Sequence, residues 1–549
     1  MSLYFESKKN KIVVEIIDKR GNGMNIRKIT AVLWMTVFLV TACSETSTSV
    51  SGSASETESV SERLTTDTGK EEKDETKTVS VSEKITESVT EESSAENVWE
   101  ELRENFEKDV RDEYNEKEER ISENKLQWSS EKDAPCVLIT TEGEKKIRSD
   151  KDYLSAICDV FNCGEEYELS ALCGIRIRGN SSANDPVKPY RIKFEKKQNM
   201  LGLHDGKKFK SWVLLKCNWN MLSDPIAWEL CDAMFEGEYY VSDYSFVNLY
   251  INQEYQGLYL LCEQNQAGKG RVEVVEPVGE EAPEEIGYFL EMDNYAGREH
   301  PHFKMKYGSR EITDISEKTQ EAAADDYSIK SDTTTQSQRD FIEKYMNNLF
   351  EIVYAACVED RAMMFDENYD TVDATGILTP KEAVEAVMDT ESVIDMLIME
   401  ELAHNYDVGA GSFFMAVDFS QYSRYPRLTF LAPWDFNWAY EDDLLGGYYA
   451  ATFQEPQDAW DRSNIWFIVM MKADWFREDV LKHFDRYVED GRLTERLDSL
   501  DEYVEQFRAD LGDESWRVDC GKDLCNKVRN RINHLDKYRF DFPIPTEEP

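Results

Sequence analysis

The sequence is short of histidine, of positive charge and of long apolar runs, and each shortage closes off a class of function. Six histidines among 549 residues leave little room for His-rich metal chemistry or a Ser-His-Asp arrangement, so any mechanism must rest on Asp and Glu. Lys and Arg number 63 against 110 Asp and Glu, a formal net charge of −47. That imbalance argues against a protein built to grip nucleic acid backbones, which needs an extended basic surface, and no nucleic acid is expected as a partner. No two of the eleven cysteines form a CxxC pair, which argues against zinc-ribbon and thioredoxin-type chemistry. Cys217 and Cys262 sit in apolar runs and read as buried thiols. The ten cysteines other than Cys43 are even in number, which permits disulfides in an exported protein, but their spacing gives no sign of any. What the chain does have is 41% apolar and 12% aromatic residues, enough to build a substantial core.

The N-terminal part reads as an export signal and a tether. Met24 to Lys28 is short and basic, and Ile29 to Val40 is apolar but too short to span a bilayer. Val40-Thr41-Ala42-Cys43 then resembles a bacterial lipobox, which predicts acylation of Cys43 and a lipid anchor on the extracytoplasmic face of the cell membrane. The alternative is a plain secretory leader with an incidental cysteine. Arg20-Gly21 is compatible with a ribosome-binding AGG-GGN sequence ahead of Met24, so residues 1–23 are expected to be an untranslated or non-structural extension before the leader, 24–43. From Ser44 to Ala95, 23 of 52 residues are Ser or Thr. Such a stretch cannot bury enough apolar surface to offset its ordering entropy. It is expected to be a disordered tether reaching roughly 40 Å. Residues 96–134 read as a highly charged helix with a sparse stripe of Trp99, Leu102, Phe106, Val110 and Tyr114, either a solvated stalk or a helix lying on the domain.

A globular α+β region is expected over 135–545, interrupted by a polar, disordered insert at 310–338 between a strand-rich and a helix-rich half. Two groups of residues stand out in it. The first is basic. Arg176, Arg178, Arg191 and Lys193 alternate with Ile175, Ile177, Tyr190, Ile192 and Phe194, so a period of two puts the apolar residues inward and the cations outward. The polar loop from Gly179 to Pro189 between them is able to bring backbone N–H groups close to an anion. This ribbon is either a phosphate grip or a solvated hairpin face. Beyond it, Ser223-Asp224-Pro225 starts a helix whose Glu229 lies beside the apolar stripe and needs a cation, with Lys193 as candidate. Two strands joined at Asn252 to Glu254 form a hairpin ending at Cys262 and Glu263.

The second group is acidic. A helix from Ser392 to His404 leads into Asp407 and Ser412. The strands Phe413 to Val417 and Leu428 to Ala432 follow, closing on Pro433-Trp434-Asp435. If the strands pair as a hairpin, Asp407 and Asp435 converge at its open end. Such a pair holds either a divalent cation or two turns that bond their own backbone.

Arg178-Gly179-Asn180-Ser181-Ser182, Lys188-Pro189-Tyr190-Arg191-Ile192-Lys193, Trp212-Val213-Leu214-Leu215, Tyr255 to Glu263 and Pro433-Trp434-Asp435, in that order, resemble the spore-coat CotH-like kinase family. The resemblance implies an atypical, two-lobed protein-kinase-like domain, following the tether, that transfers phosphate from ATP with Mg²⁺ to Ser/Thr of secreted or envelope proteins. It implies Asp407 as catalytic aspartate and Asp435 as metal ligand with Ser412. Arg178, Asn180, Ser181, Lys193, Glu229 and Glu263 become nucleotide-binding residues, with Lys193 and Glu229 as the phosphate-orienting pair. Ser412 stands where kinases often have Asn, and Asn437 replaces the second acid of the family's Trp-Asp-x-Asp pattern. Both departures favour the alternative of a non-catalytic envelope or spore-coat scaffold. A glycosidase using paired carboxylates leaves the basic ribbon unexplained.

Overall fold

The computed structural model describes residues 109–179, 182–218, 220–298, 301–307, 326–440, 450–451 and 463–538, and the backbone of 3–8 and 11–16. The chain divides into two compact units, 1–81 and 82–549. In the first, the described residues form an antiparallel hairpin, Leu3–Lys8 with Lys11–Ile16, within the stretch expected to be non-structural. The leader, Cys43 and the tether lie outside the described residues.

In the second unit, period-two sequences close into a barrel of seven strands: β1 (Cys136–Thr141), β2 (Leu154–Phe161), β3 (Leu169–Ile177), β4 (Tyr190–Gln198), β5 (Phe209–Lys216), β6 (Tyr244–Ile251) and β7 (Glu254–Glu263). Its order is β1-β2-β3-β4-β5-β7-β6, and parallel pairing of Val137 with Leu249 joins β6 back to β1. Ile175, Ile177, Tyr190, Ile192 and Phe194 all point into the barrel core, as their alternation predicts, together with Val137, Trp212 and Leu261. Asn252 and Gln253 take left-handed conformations (φ 49° and 68°) in the two-residue turn joining β6 to β7. Helix α1 (Glu118–Glu131) and the helical residues 109–115 before it lie against the barrel with one face. Val110, Tyr114 and Ile121 pack against Leu138, Ile157 and Phe161, while Trp128 stacks on Tyr250 at 3.9 Å. Tyr114 and Lys125 both bond the buried Asp159 carboxylate, at 2.8 and 3.0 Å.

The larger core joins the barrel wall to helices and a second sheet. Helix α2 (Ser223–Phe235) follows β5. The sheet contains β8 (Gly287–Met292), β9 (His302–Lys304), β10 (Asp326–Ile329), β11 (Phe413–Asp418) and β12 (Thr429–Phe430), in the order β9-β10-β8-β11-β12. Between β10 and β11 run α3 (Gln336–Cys357), α4 (Pro380–Val387) and α5 (Thr390–Ala403), which is buried from Ser392 onward. Helices α6 (Asp474–Glu489), α7 (Arg492–Glu505) and α8 (Trp516–Tyr538) complete the unit.

Part of the expected 310–338 insert is therefore ordered structure. Tyr327 and Ile329 of β10 pair with β8 and are buried, and α3 starts behind a Thr335–Gln338 capping box. Four residues with two inward side chains suffice for that strand, too few to register in a polar run. Residues 310–325 lie outside the description. The ten cysteines from Cys136 to Cys525 are free thiols, and all but Cys163 and Cys520 are buried. No helix among the described residues is long and apolar enough to cross a membrane.

Candidate active site

The basic ribbon forms on the outside of β3 and β4. Arg176 stands directly opposite Arg191, and just past β3 the Arg178 N–H donates to Pro189 O at 3.1 Å. The Arg178 guanidinium lies over the Trp434 ring, 5.6 Å from its centroid, so the ribbon meets the segment that carries Asp435. Arg191 donates weakly to Ser211 Oγ at 3.4 Å, and its buried Nε has no acceptor. Burial, followed by the like charges of Arg176, Arg178 and Arg271, pushes the Arg191 pKa down. Arg271 escaped the sequence reading because a lone Arg in a loop carries no pattern. It is buried over the Phe209 ring at 4.1 Å and donates to Ser211 O (2.6 Å) and Gln266 Oε1 (2.7 Å). Crowding guanidinium groups is costly, and an anion with several oxygens offsets that cost. Asn180 and Ser181 lie outside the described residues.

The expected Lys193–Glu229 pair does not form. Lys193 is exposed on the outer face of β4, near the Tyr153 ring at 6.0 Å, and does not pair with Glu229. Glu229 instead receives Tyr244 Oη at 3.0 Å and Arg496 Nη1 at 2.9 Å, because α2 turns it toward α7. Burial raises the Glu229 pKa, and these two donors pull it back. Glu263 is fully buried. Its carboxylate holds His204 Nδ1 at 2.8 Å, the Asp243 N–H at 3.2 Å and Arg271 Nε at 3.5 Å.

The two strands of the acidic end pair as the hairpin argument expects. Strands β11 and β12 pair antiparallel through Met415–Phe430, and Leu431 N–H donates to Phe414 O at 3.3 Å. At the open end Ser412 Oγ donates to Asp435 Oδ2 at 3.5 Å. Ser412, Ala432, Asp435 and Tyr440 all have positive φ (54°, 59°, 67° and 63°), a cluster of left-handed non-glycine residues that the surroundings must hold in place.

Helix α2 and the turn before it do that holding. Trp228 Nε1 donates to Pro433 O (2.9 Å), Phe436 N–H to Asp224 Oδ1 (3.0 Å), Tyr440 Oη to Ser223 O (3.2 Å) and Asn220 Nδ2 to Asn437 Oδ1 (3.4 Å). Asp224 is the important residue that sequence reasoning missed, since an acid in a helix's first turn needs no further explanation. It is buried, and its pKa is pushed up to about 7, first by burial and then by Asp435, against the pull of the Phe436 N–H and Arg178.

Asp407 sits half-buried in the turn after α5. Its N–H donates to Asn405 Oδ1 at 3.2 Å, and the neighbouring Tyr406 N–H donates to Trp438 O at 3.2 Å, tying this turn to the Asp435 loop. Beneath it, Asn405 Nδ2 donates to Glu400 Oε2 at 3.0 Å. Burial, with Glu401 and Asp407 nearby, drives the Glu400 pKa up to about 8.

Among the described residues no three His, Cys, Asp or Glu side chains stand close enough to enclose a metal ion by themselves. Mg²⁺ arriving with nucleotide phosphates needs only one or two protein ligands. Asp435 and Ser412 fit that requirement, and a cation there would relieve the repulsion between Asp435 and Asp224.

A family model described as CotH kinase protein matches residues 175–519, a span running from the basic ribbon through the acidic end. The chain belongs to the CotH kinase family. A search of curated proteins found no match.

Proposed function

We propose that the chain is a kinase that transfers the γ-phosphate of ATP to Ser/Thr hydroxyls of secreted or envelope proteins, held at the cell membrane by a lipid on Cys43. The barrel and the helical part would be the two lobes of a kinase-like fold. The observation that carries the reading is the meeting of the guanidinium cluster and the acidic end across Arg178 and Trp434. Phosphoryl transfer needs those two elements, cations for the phosphates and carboxylates for the metal and the acceptor.

In this reading Arg178 and Arg191 bind the phosphate oxygens, and Asp435 with Ser412 holds Mg²⁺. The metal supplies neutralisation of charge on the transferred phosphate. Asp407 orients the acceptor hydroxyl and takes its proton as the new oxygen–phosphorus bond forms and the bond to the ADP oxygen breaks. Asp224 holds the Asp435 turn in its left-handed conformation.

A second reading, a non-catalytic scaffold, is favoured by Asn437, whose Nδ2 donates to Asp435 Oδ1 and so takes up one of the two carboxylate oxygens that would serve a metal. The test is ATP binding with and without Mg²⁺ beside label transfer from ATP to protein acceptors. Metal-dependent binding with transfer supports the kinase, binding alone supports the scaffold, and no binding sinks both nucleotide readings. Loss of lipid labelling in Cys43→Ala tests the anchor.

A further inference from the structure

The 48 residues from Leu169 to Lys216 hold eleven Lys and Arg against three Asp and Glu, a net of +8. The other 501 residues hold 52 against 107, a net of −55. Arg176, Arg178 and Arg191 account for part of that excess at the candidate active site. Five of the others lie elsewhere. Lys196 and Lys197 end β4, Lys207 and Lys208 sit in the turn to β5, and Lys210 follows in β5. Pairing of Gln198 with Phe209 brings these five together at one end of the ribbon. All five are exposed, and none makes an ion pair with a described residue. They lie roughly 20 Å along the strand from Tyr190, where the active-site end of β4 begins. The Glu165–Tyr167 turn, whose Tyr167 ring lies against Gly202, bounds the patch on one side with acid.

We infer that this lysine ribbon is a docking face for an anionic phospholipid surface. All five charges are lysines. An ammonium group is a hydrated point charge suited to a diffuse polyanion, whereas reading a single phosphorylated residue calls for the arginine fork. A protein carrying −55 over the rest of its length is repelled by a negative membrane from most directions. The ribbon is where attraction wins, so binding there also fixes orientation. A membrane is favoured over a soluble polyanion because the leader is read as placing this chain at one. The inference does not depend on kinase activity.

The experiment is flotation of the full chain with vesicles of phosphatidylcholine alone or mixed with phosphatidylglycerol. The leader can insert in either, so the quantity read is the phosphatidylglycerol-dependent part that charge reversal of the ribbon removes. K196E/K197E/K207E/K208E is expected to weaken that part on the order of 100-fold or more, with an unchanged thermal midpoint because these side chains are exposed and unpaired. Raising salt to about 1 M, where screening acts within about 3 Å, is expected to abolish it. Equal association of wild type and variant with the mixed vesicles overturns the inference. Ribbon-dependent capture of soluble polyphosphate without any gain on phosphatidylglycerol vesicles overturns the lipid assignment.

Discussion

The Phe436 N–H donates to the Asp224 carboxylate at 3.0 Å, joining residues 212 apart in sequence. That bond makes the first turn of α2 the support for the strained turn at Asp435. Anything that moves α2 therefore moves the proposed metal ligand. The same helix carries Glu229, so its middle is fixed to α7 through Arg496.

Asp510 offers a direct test of how the C-terminal helices are bound to the barrel. Its buried carboxylate accepts the N–H groups of Asp133 (2.8 Å) and Ala134 (2.7 Å) and Asn248 Nδ2 (2.9 Å). Asp510→Ala leaves these donors without an acceptor and is expected to cost roughly 3 kcal/mol or more. Asp510→Asn should recover part of this. Urea denaturation midpoints measure both, and an alanine variant as stable as wild type would contradict the network.

Glu400 predicts a pH dependence of known sign. Its folded pKa, about 8, lies above its ordinary 4.5, so between those values the native state holds a proton that the unfolded state has released. Stability from this site is then highest below about pH 4.5 and falls as pH rises toward 8. Glu400→Gln removes the titrating group and keeps the amide-sized side chain beside Asn405. The variant should match wild type near pH 4.5 and melt higher than it above pH 8. Parallel melting curves across that range would refute the assignment.

The partner of Glu229 separates two accounts of α2. Arg496→Ala leaves the carboxylate with Tyr244 alone and is expected to cost about 1 to 2 kcal/mol. Lys193→Ala removes an exposed cation and should stay within about 0.5 kcal/mol of wild type. A larger loss from Lys193→Ala would restore the pairing expected from the sequence.

Much of this was legible locally. Strict alternation around Ile175 and Ile192 assigned the inward-facing residues, and the pairing of the two strands before Asp435 followed from their spacing, whereas the contact of Ser412 with Asp435 did not. Closure of the barrel was not legible, because the Val137–Leu249 pairing joins strands more than a hundred residues apart and leaves no local period. The sequence offers Lys193 to Glu229 only as a cation in a motif resembling the family's. The rotation of α2 and an arginine 267 residues downstream decided otherwise. Asp224 was hidden for a different reason. A helix-start acid and a buried loop support look alike until the loop is placed against them.

The two site aspartates should separate binding from transfer. Asp435 is read as holding the metal with Ser412, so Asp435→Asn should weaken Mg²⁺-dependent ATP binding and leave metal-free binding near wild type. Asp407 is read as serving the acceptor hydroxyl. Asp407→Asn should keep nucleotide affinity and lose most of the label transfer, on the order of 100-fold or more. Asp224 adds a third behaviour. Asp224→Ala frees the Phe436 N–H and should impair metal-dependent binding much as Asp435→Asn does. Asp224→Asn keeps an acceptor for that N–H and should restore binding, which a general loss of folding would not do. Calorimetry of ATP with and without Mg²⁺, beside transfer assays on variants of equal thermal midpoint, distinguishes these outcomes. If Asp435→Asn leaves metal-dependent binding intact, the metal lies elsewhere and the support assigned to Asp224 loses its purpose.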